Sequence, residues 1–220
     1  MITGPNGCGK STLLKTLIRI IPISGGKIFS GERDTSEMSA AELARCVAYL
    51  PQKKNVPDLT VMTMVLHGRF AYLSYPRRYR EEDLAAAEEA LRITELTELS
   101  DANMSELSGG TQQRAFLAMA LAQSSPVILM DEPASFMDIS YQIKLMELSR
   151  HLSDGGKAVV MVLHDLSAAL KYADEMIVMS EGKIVASGAP EEVYGSGILD
   201  RVFGITMKRF FTPDGAVYYC

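Results

Sequence analysis

Near its start the chain reads Gly4-Pro5-Asn6-Gly7-Cys8-Gly9-Lys10-Ser11-Thr12, and helical spacing follows from Leu13 to Ile20. Glycines let a backbone curl until successive N–H groups point at one anion, and the start of the following helix adds positive potential there. In this G-x-x-x-x-G-K-S pattern, Lys10 is positioned to reach the β and γ phosphates of a nucleoside triphosphate and Ser11 to ligate Mg²⁺. An ordinary glycine-rich turn before a helix needs neither the lysine nor the hydroxyls that follow it. The run therefore demands a short strand, a phosphate loop and a helix, the opening unit of an α/β fold.

Apolar periodicity continues that alternation. Buried strands are expected at Cys46 to Leu50, Val127 to Met130 and Val159 to Leu163, with helical spacing between them. Glu175 to Ser180 and Lys183 to Ser187 flank Glu181-Gly182 as an antiparallel hairpin. From Thr60 to Gln123 strand signals vanish; Glu81 to Ile93 reads as a helix with acids in its first turn and Leu84, Ala87 and Leu91 on one apolar face. The expected fold is α/β, a P-loop NTPase core with a mostly parallel sheet plus an antiparallel hairpin and an inserted helical subdomain. It forms one domain over residues 1–220, with 1–59 and 124–220 as core and 60–123 as the insertion.

Composition bounds the function. Hydrophobic residues are 47% and charged residues 22%, an ordinary globular balance, and the net charge is −5 with both signs interspersed. Binding to nucleic acid or directly to an anionic membrane surface is disfavoured. No apolar run of about 18 residues and no leader pattern occurs, so any membrane role is expected to pass through a partner. Cys8, Cys46 and Cys220 show no paired short spacing, which argues against disulfides or zinc and for a reducing compartment.

Val127-Ile128-Leu129-Met130-Asp131-Glu132-Pro133 is an apolar strand ending in two carboxylates, the arrangement a P-loop ATPase uses for Mg²⁺ and water. Asp131 is expected to hold Mg²⁺ through its water shell and Glu132 to polarise the attacking water. Leu107-Ser108-Gly109-Gly110-Thr111-Gln112-Gln113-Arg114 then enters a helix running to Ala122. With this segment the chain resembles the ABC ATPases.

The resemblance implies that Ser108, Gly109 and Gly110 contact the γ-phosphate of ATP held by an opposite subunit's P-loop. It extends in family order to Gln52, which would sense Mg²⁺ and the lytic water; to Asp138, which would bridge two subunits; and to His164, which would hydrogen-bond the γ-phosphate. By themselves, Asp138 reads as a helix cap, His164 as a satisfied core residue and Gln52 as a surface residue. The nucleotide contacts expected from loop and resemblance together are Gly4, Pro5, Asn6, Gly7, Cys8, Gly9, Lys10, Ser11, Thr12, Ser108, Gly109, Gly110 and Asp138. Lys10, Gln52, Glu132 and His164 are the catalytic candidates, and Ser11, Gln52 and Asp131 the metal candidates. Cys8 reads as a small loop residue, or as a thiol open to alkylation; His67 and His151 read as a helix-end and a helix-surface residue.

Leu66-His67-Gly68-Arg69-Phe70-Ala71-Tyr72 and Val162-Leu163-His164-Asp165-Leu166 resemble importers of ferric siderophores, haem and cobalamin, with Ala71 in place of an expected proline. That implies an ATP- and Mg²⁺-dependent homodimer on the cytoplasmic face of the membrane. It would be held there by permease subunits and served indirectly by an extracytoplasmic substrate-binding protein. A nucleotide-binding regulatory subunit without turnover and a soluble ABC ATPase are the alternatives. Departures from the family pattern are Thr111 for a glutamine or glutamate, Met137 for a leucine, and a shortened N-terminus. Only Met1-Ile2-Thr3 precede the loop, so no adenine-stacking aromatic is assigned, and neighbouring strands are expected to lose pairing.

Overall fold

The computed structural model describes residues 1–52, 55–134, 137–211 and 217–219; Cys220 lies outside them. The chain forms two compact units, Met1–Pro22 with Val160–Cys220, and Ile23–Val159.

The first unit opens with β1 (Ile2–Thr3), the phosphate loop and α1 (Lys10–Leu17). Residue Arg19, left-handed at φ 61°, follows the end of the helix, so α1 stops short of the Ile20 expected from periodicity. The second unit begins with a small antiparallel ribbon of β2 (Phe29–Ser30) and β3 (Arg33–Asp34). Next comes α2 (Ala40–Cys46), opened by a reciprocal Ser39/Glu42 capping box. Then follow β4 (Val47–Leu50), α3 (Val61–Leu66), α4 (Glu81–Ile93), α5 (Gly109–Ala122), β5 (Val127–Asp131) and α6 (Ile139–Asp154). Strand β6 (Ala158–Val162) carries the chain back to the first unit, which continues with α7 (Leu166–Tyr172), β7 (Met176–Ser180) and β8 (Lys183–Gly188). It ends with α8 (Pro190–Gly195), α9 (Ile198–Phe203), β9 (Arg209–Phe211) and β10 (Val217–Tyr219).

In the second unit β4 and β5 pair in parallel over Val47↔Val127 to Leu50↔Met130, and Ala48, Leu50, Ile128, Leu129 and Met130 are buried. Such near-continuous apolar runs are what strands covered on both faces require. In the first unit β1 lies between β6 and β7, parallel to both, and β7 turns back antiparallel into β8. Ile2 and Thr3 are fully inside and bridge both neighbours: Leu163 N–H donates to Ile2 O at 3.1 Å and Ile177 N–H to Met1 O at 2.8 Å. The β7–β8 turn, Glu181 at φ 50° and Gly182 at φ 77°, has both central residues left-handed, as the expected tight hairpin needs.

Helices α3, α4 and α5 pack on one another. The sequence reading of α4 needs one correction. Ala87 and Leu91 are buried as expected, but Leu84 is 41% exposed and Asp83 is buried in its stead. A carboxylate goes inside because its charge is answered: Arg69 Nε donates to it at 2.9 Å and the Arg80 N–H at 3.0 Å. Arg69 also donates to Ala122 O at 3.0 Å and lies 3.9 Å from the Tyr72 ring centroid, tying α4 to the end of α5.

Gly68 lets this segment approach α5. A Cβ there would stand 2.2 Å from Met119 O, a backbone atom that cannot step aside. Gly68→Ala is expected to destabilise the protein by about 1–3 kcal/mol, read as a lower urea midpoint; an unchanged midpoint would show that α5 shifts freely.

Candidate active site

In the first unit the phosphate loop is pinned to the β7–β8 hairpin. Gly182 N–H donates to Cys8 O at 3.1 Å. At Gly4, φ +155°, an added Cβ would meet Met179 O at 2.2 Å, so only glycine fits where β1 leaves the sheet. Lys10 is 5% exposed, and its Nζ donates to Gly4 O at 2.7 Å and Pro5 O at 3.0 Å. The ammonium is thus held over the loop whose N–H groups it would assist. Ser11 is half-buried on the first turn of α1, Asn6, Gly7 and Thr12 are exposed, and Pro5 and Gly9 are half-buried. Cys8 is 5% exposed, which shields the thiol from the alkylation an open loop position would invite. His164 follows β6 by two residues and is exposed, so the satisfied-core reading of this histidine does not hold.

In the second unit the β4–β5 register does work that sequence spacing alone does not reveal. Tyr49 pairs with Leu129. Its ring therefore reaches diagonally along the same face to Asp131, and the phenol donates to Oδ2 at 3.3 Å. Burial, followed by the Asp131 charge and this hydrogen bond, raises the Tyr49 pKa well above its ordinary value, so the phenol remains a donor. Asp131 itself is 1% exposed. Glu132, next along, sits at φ 50°, a left-handed conformation that costs a non-glycine residue about 1–3 kcal/mol and is found mostly at working sites. The structure brings Gln52 and Glu132 together: Gln52 Nε2 donates to Glu132 Oε2. Buried Gln113, one turn into α5, donates to Pro133 O at 2.9 Å.

Ser108 caps α5, its Oγ accepting from Thr111 N–H at 3.3 Å, with Gly109 and Gly110 forming the first turn. Asp138 caps α6 by accepting from Tyr141 N–H at 2.8 Å and Ser140 Oγ at 2.6 Å. The Ser140 hydroxyl first, then the Tyr141 N–H, holds its carboxyl below the usual range. His67 caps the end of α3 and His151 is exposed on α6, as their spacing suggests. Sequence reasoning missed Tyr49 and Gln113. The only available signal for Tyr49 was its place two residues out of step with Asp131 across two expected strands.

Ser11 in the first unit offers a hydroxyl oxygen and Asp131 in the second a carboxylate, each by itself a hard donor of the kind Mg²⁺ takes. Among the described residues no group of three or more His, Cys, Asp or Glu could hold a metal ion.

The sequence profile of the ABC transporter family matches residues 1–135. The chain belongs to the ABC transporter family. This ABC ATPase binds and hydrolyses ATP. It is 41% identical over 206 residues to the ferric enterobactin transport ATP-binding protein FepC of Escherichia coli strain K12, covering 93% of this chain and 76% of that one. It is 38% identical over 205 residues to the hemin import ATP-binding protein HmuV of Rhodococcus jostii strain RHA1, covering 93% and 70%. A dimeric ATP-binding cassette solved in a post-hydrolysis state with ADP and Pi superposes with a TM-score of 0.74 at 28% identity, over 86% of this ABC ATPase and 84% of that chain.

Proposed function

We propose that two copies of this ABC ATPase clamp ATP between them, and that closure and hydrolysis drive a membrane permease that imports a ferric siderophore, haem or cobalamin. The observation that carries this reading is the start of α5. Ser108 caps a 14-residue helix whose first turn is Gly109-Gly110, an exposed anion site of N–H groups and helix dipole. A second such site lies at the phosphate loop, and a nucleotide gripped by one from each copy makes each protomer the other's lid.

In this reading Lys10 and residues 4–12 hold the phosphates, Ser11 and Asp131 hold Mg²⁺, and Glu132 takes the proton of the attacking water. Gln52 positions that water, His164 binds the γ-phosphate and Asp138 meets the partner copy. Phosphoryl transfer asks a protein mainly for positioning and charge stabilisation, which closure would supply. ATP then shifts the open–closed equilibrium only by its extra affinity for the closed pair.

The core comprises 1–59 and 124–220, and the packed helices α3, α4 and α5 support reading 60–123 as a helical subdomain. No described helix is long and apolar enough to cross a membrane, and the permease would hold the protein at the cytoplasmic face. The relatives that transport ferric enterobactin and hemin support the substrate class.

Ser108→Arg, reconstituted with the permease, is expected to abolish substrate uptake and uptake-coupled phosphate release, since a bulky cation would occupy the γ-phosphate position. Normal uptake by this variant would sink the sandwich.

A further inference from the structure

We infer that Thr111 is a positioning residue that sets the polarity of the Ser108 hydroxyl, keeping it a hydrogen-bond donor toward the γ-phosphate. The inference rests on the sandwich reading above.

The geometry starts from Arg114, one turn further along α5. Its guanidinium donates to Glu95 O at 3.3 Å and lies 5.4 Å from the Tyr141 ring centroid, and from this seat Nη2 reaches Thr111 Oγ1 at 3.4 Å. Arginine has donors and no acceptor, so the threonine oxygen receives that bond. Thr111 Oγ1 and Ser108 Oγ are 2.9 Å apart. The Arg114 cation bonded to that oxygen makes the threonine a poorer acceptor and its O–H a stronger donor, which favours donation from threonine to serine across that gap. The Thr111 backbone N–H reaches the same serine oxygen at 3.3 Å.

In that arrangement Ser108 Oγ accepts twice from one residue, from the Thr111 N–H and from its hydroxyl. Its own proton has no call on either contact and is left to point away, on an exposed residue. An anionic phosphate oxygen needs that polarity, because a serine that spent its proton on Thr111 would offer a lone pair to a negative charge. The relay Arg114 to Thr111 to Ser108 also places a formal positive charge behind the hydroxyl, and chained hydrogen bonds of this kind polarise one another. The threonine, a departure from the glutamine or glutamate expected there, thus has a defined task.

The alternative is that Thr111 merely decorates the helix start. Thr111→Val keeps the shape and the N–H cap and removes only the hydroxyl, Thr111→Ser restores it, and Ser108→Ala removes the group on which it acts. The readout is ATP-dependent dimerisation of the full chain by sedimentation velocity, with EDTA present so that the nucleotide is not consumed. Ser108→Ala is expected to weaken dimerisation about 10- to 100-fold, and Thr111→Val about 5- to 10-fold. Thr111→Ser should stay within about twofold of the unaltered protein, and the Ser108→Ala/Thr111→Val double variant should match Ser108→Ala alone. Full strength in Thr111→Val, failure of Thr111→Ser to restore it, or an equal loss from Thr111→Val in both backgrounds would overturn the inference while leaving the sandwich standing. Undiminished dimerisation of Ser108→Ala would overturn the sandwich and this inference together.

Discussion

Replacing Glu132 with glutamine is expected to lower steady-state phosphate release about 100- to 10,000-fold while ATP affinity stays near its unaltered value. The two side chains have the same shape, and the backbone at φ 50° strains both alike. Gln52 Nε2 donates to Glu132 Oε2, and an amide turned to present its oxygen keeps that contact. What disappears is the ability to take a proton from water, so the loss belongs to chemistry and not to architecture. Single-turnover hydrolysis beside equilibrium ATP binding separates the two; a rate within about tenfold of the unaltered protein would remove Glu132 from the general-base role.

Arg69→Met is expected to destabilise the fold by about 3–5 kcal/mol, because it strands the Asp83 carboxylate inside the helical packing. The partners are 9% and 2% exposed at their side chains, so solvent can do little to compensate. Pairing Arg69→Met with Asp83→Leu should recover most of the loss, since removing both charges leaves nothing buried and unanswered. Urea denaturation of the single and double variants measures this, and equal losses in both would show that the Tyr72 and Ala122 contacts of Arg69 matter more than the ion pair.

The same pair has a pH signature. Burial pushes the Asp83 pKa up, but the Arg80 N–H and Arg69 outweigh it and the carboxyl lies below its ordinary value. A carboxyl held low in the folded state contributes stability that is complete above the unfolded carboxylate pKa and fades as pH falls through the folded one. The gap between the unaltered protein and the double variant should therefore narrow on acidification.

Strands β5 and β7 were legible because each is a largely buried, nearly unbroken apolar run, and both begin and end within a residue of the positions their composition suggests. Helix α4 was legible in its ends, set by an acidic first turn and a helix-favouring run, but not in its inward face. A carboxylate is placed inside by a partner 14 residues earlier, and periodicity carries no information about partners at that distance. The site divides in the same way. Residues carried by a contiguous motif, such as Lys10 or Ser108, could be named from spacing. Tyr49 depends on which residue of β5 lies across from it, and Gln113 on how α5 lies against the Pro133 carbonyl. Neither relation exists until strands and helices have met. Beyond Ser187 the periodicity assigned nothing, and the short α8, α9 and the β9–β10 ribbon are too brief to leave a repeat that spacing could detect.

The buried bond from Gln113 to Pro133 O makes α5 a crank. Its grip is one residue past Glu132, on a backbone already wound the wrong way for that side chain, and its handle is the Ser108 end of the same helix. A displacement of that handle would reach, through the Gln113 amide, the carbonyl of the residue that follows Glu132.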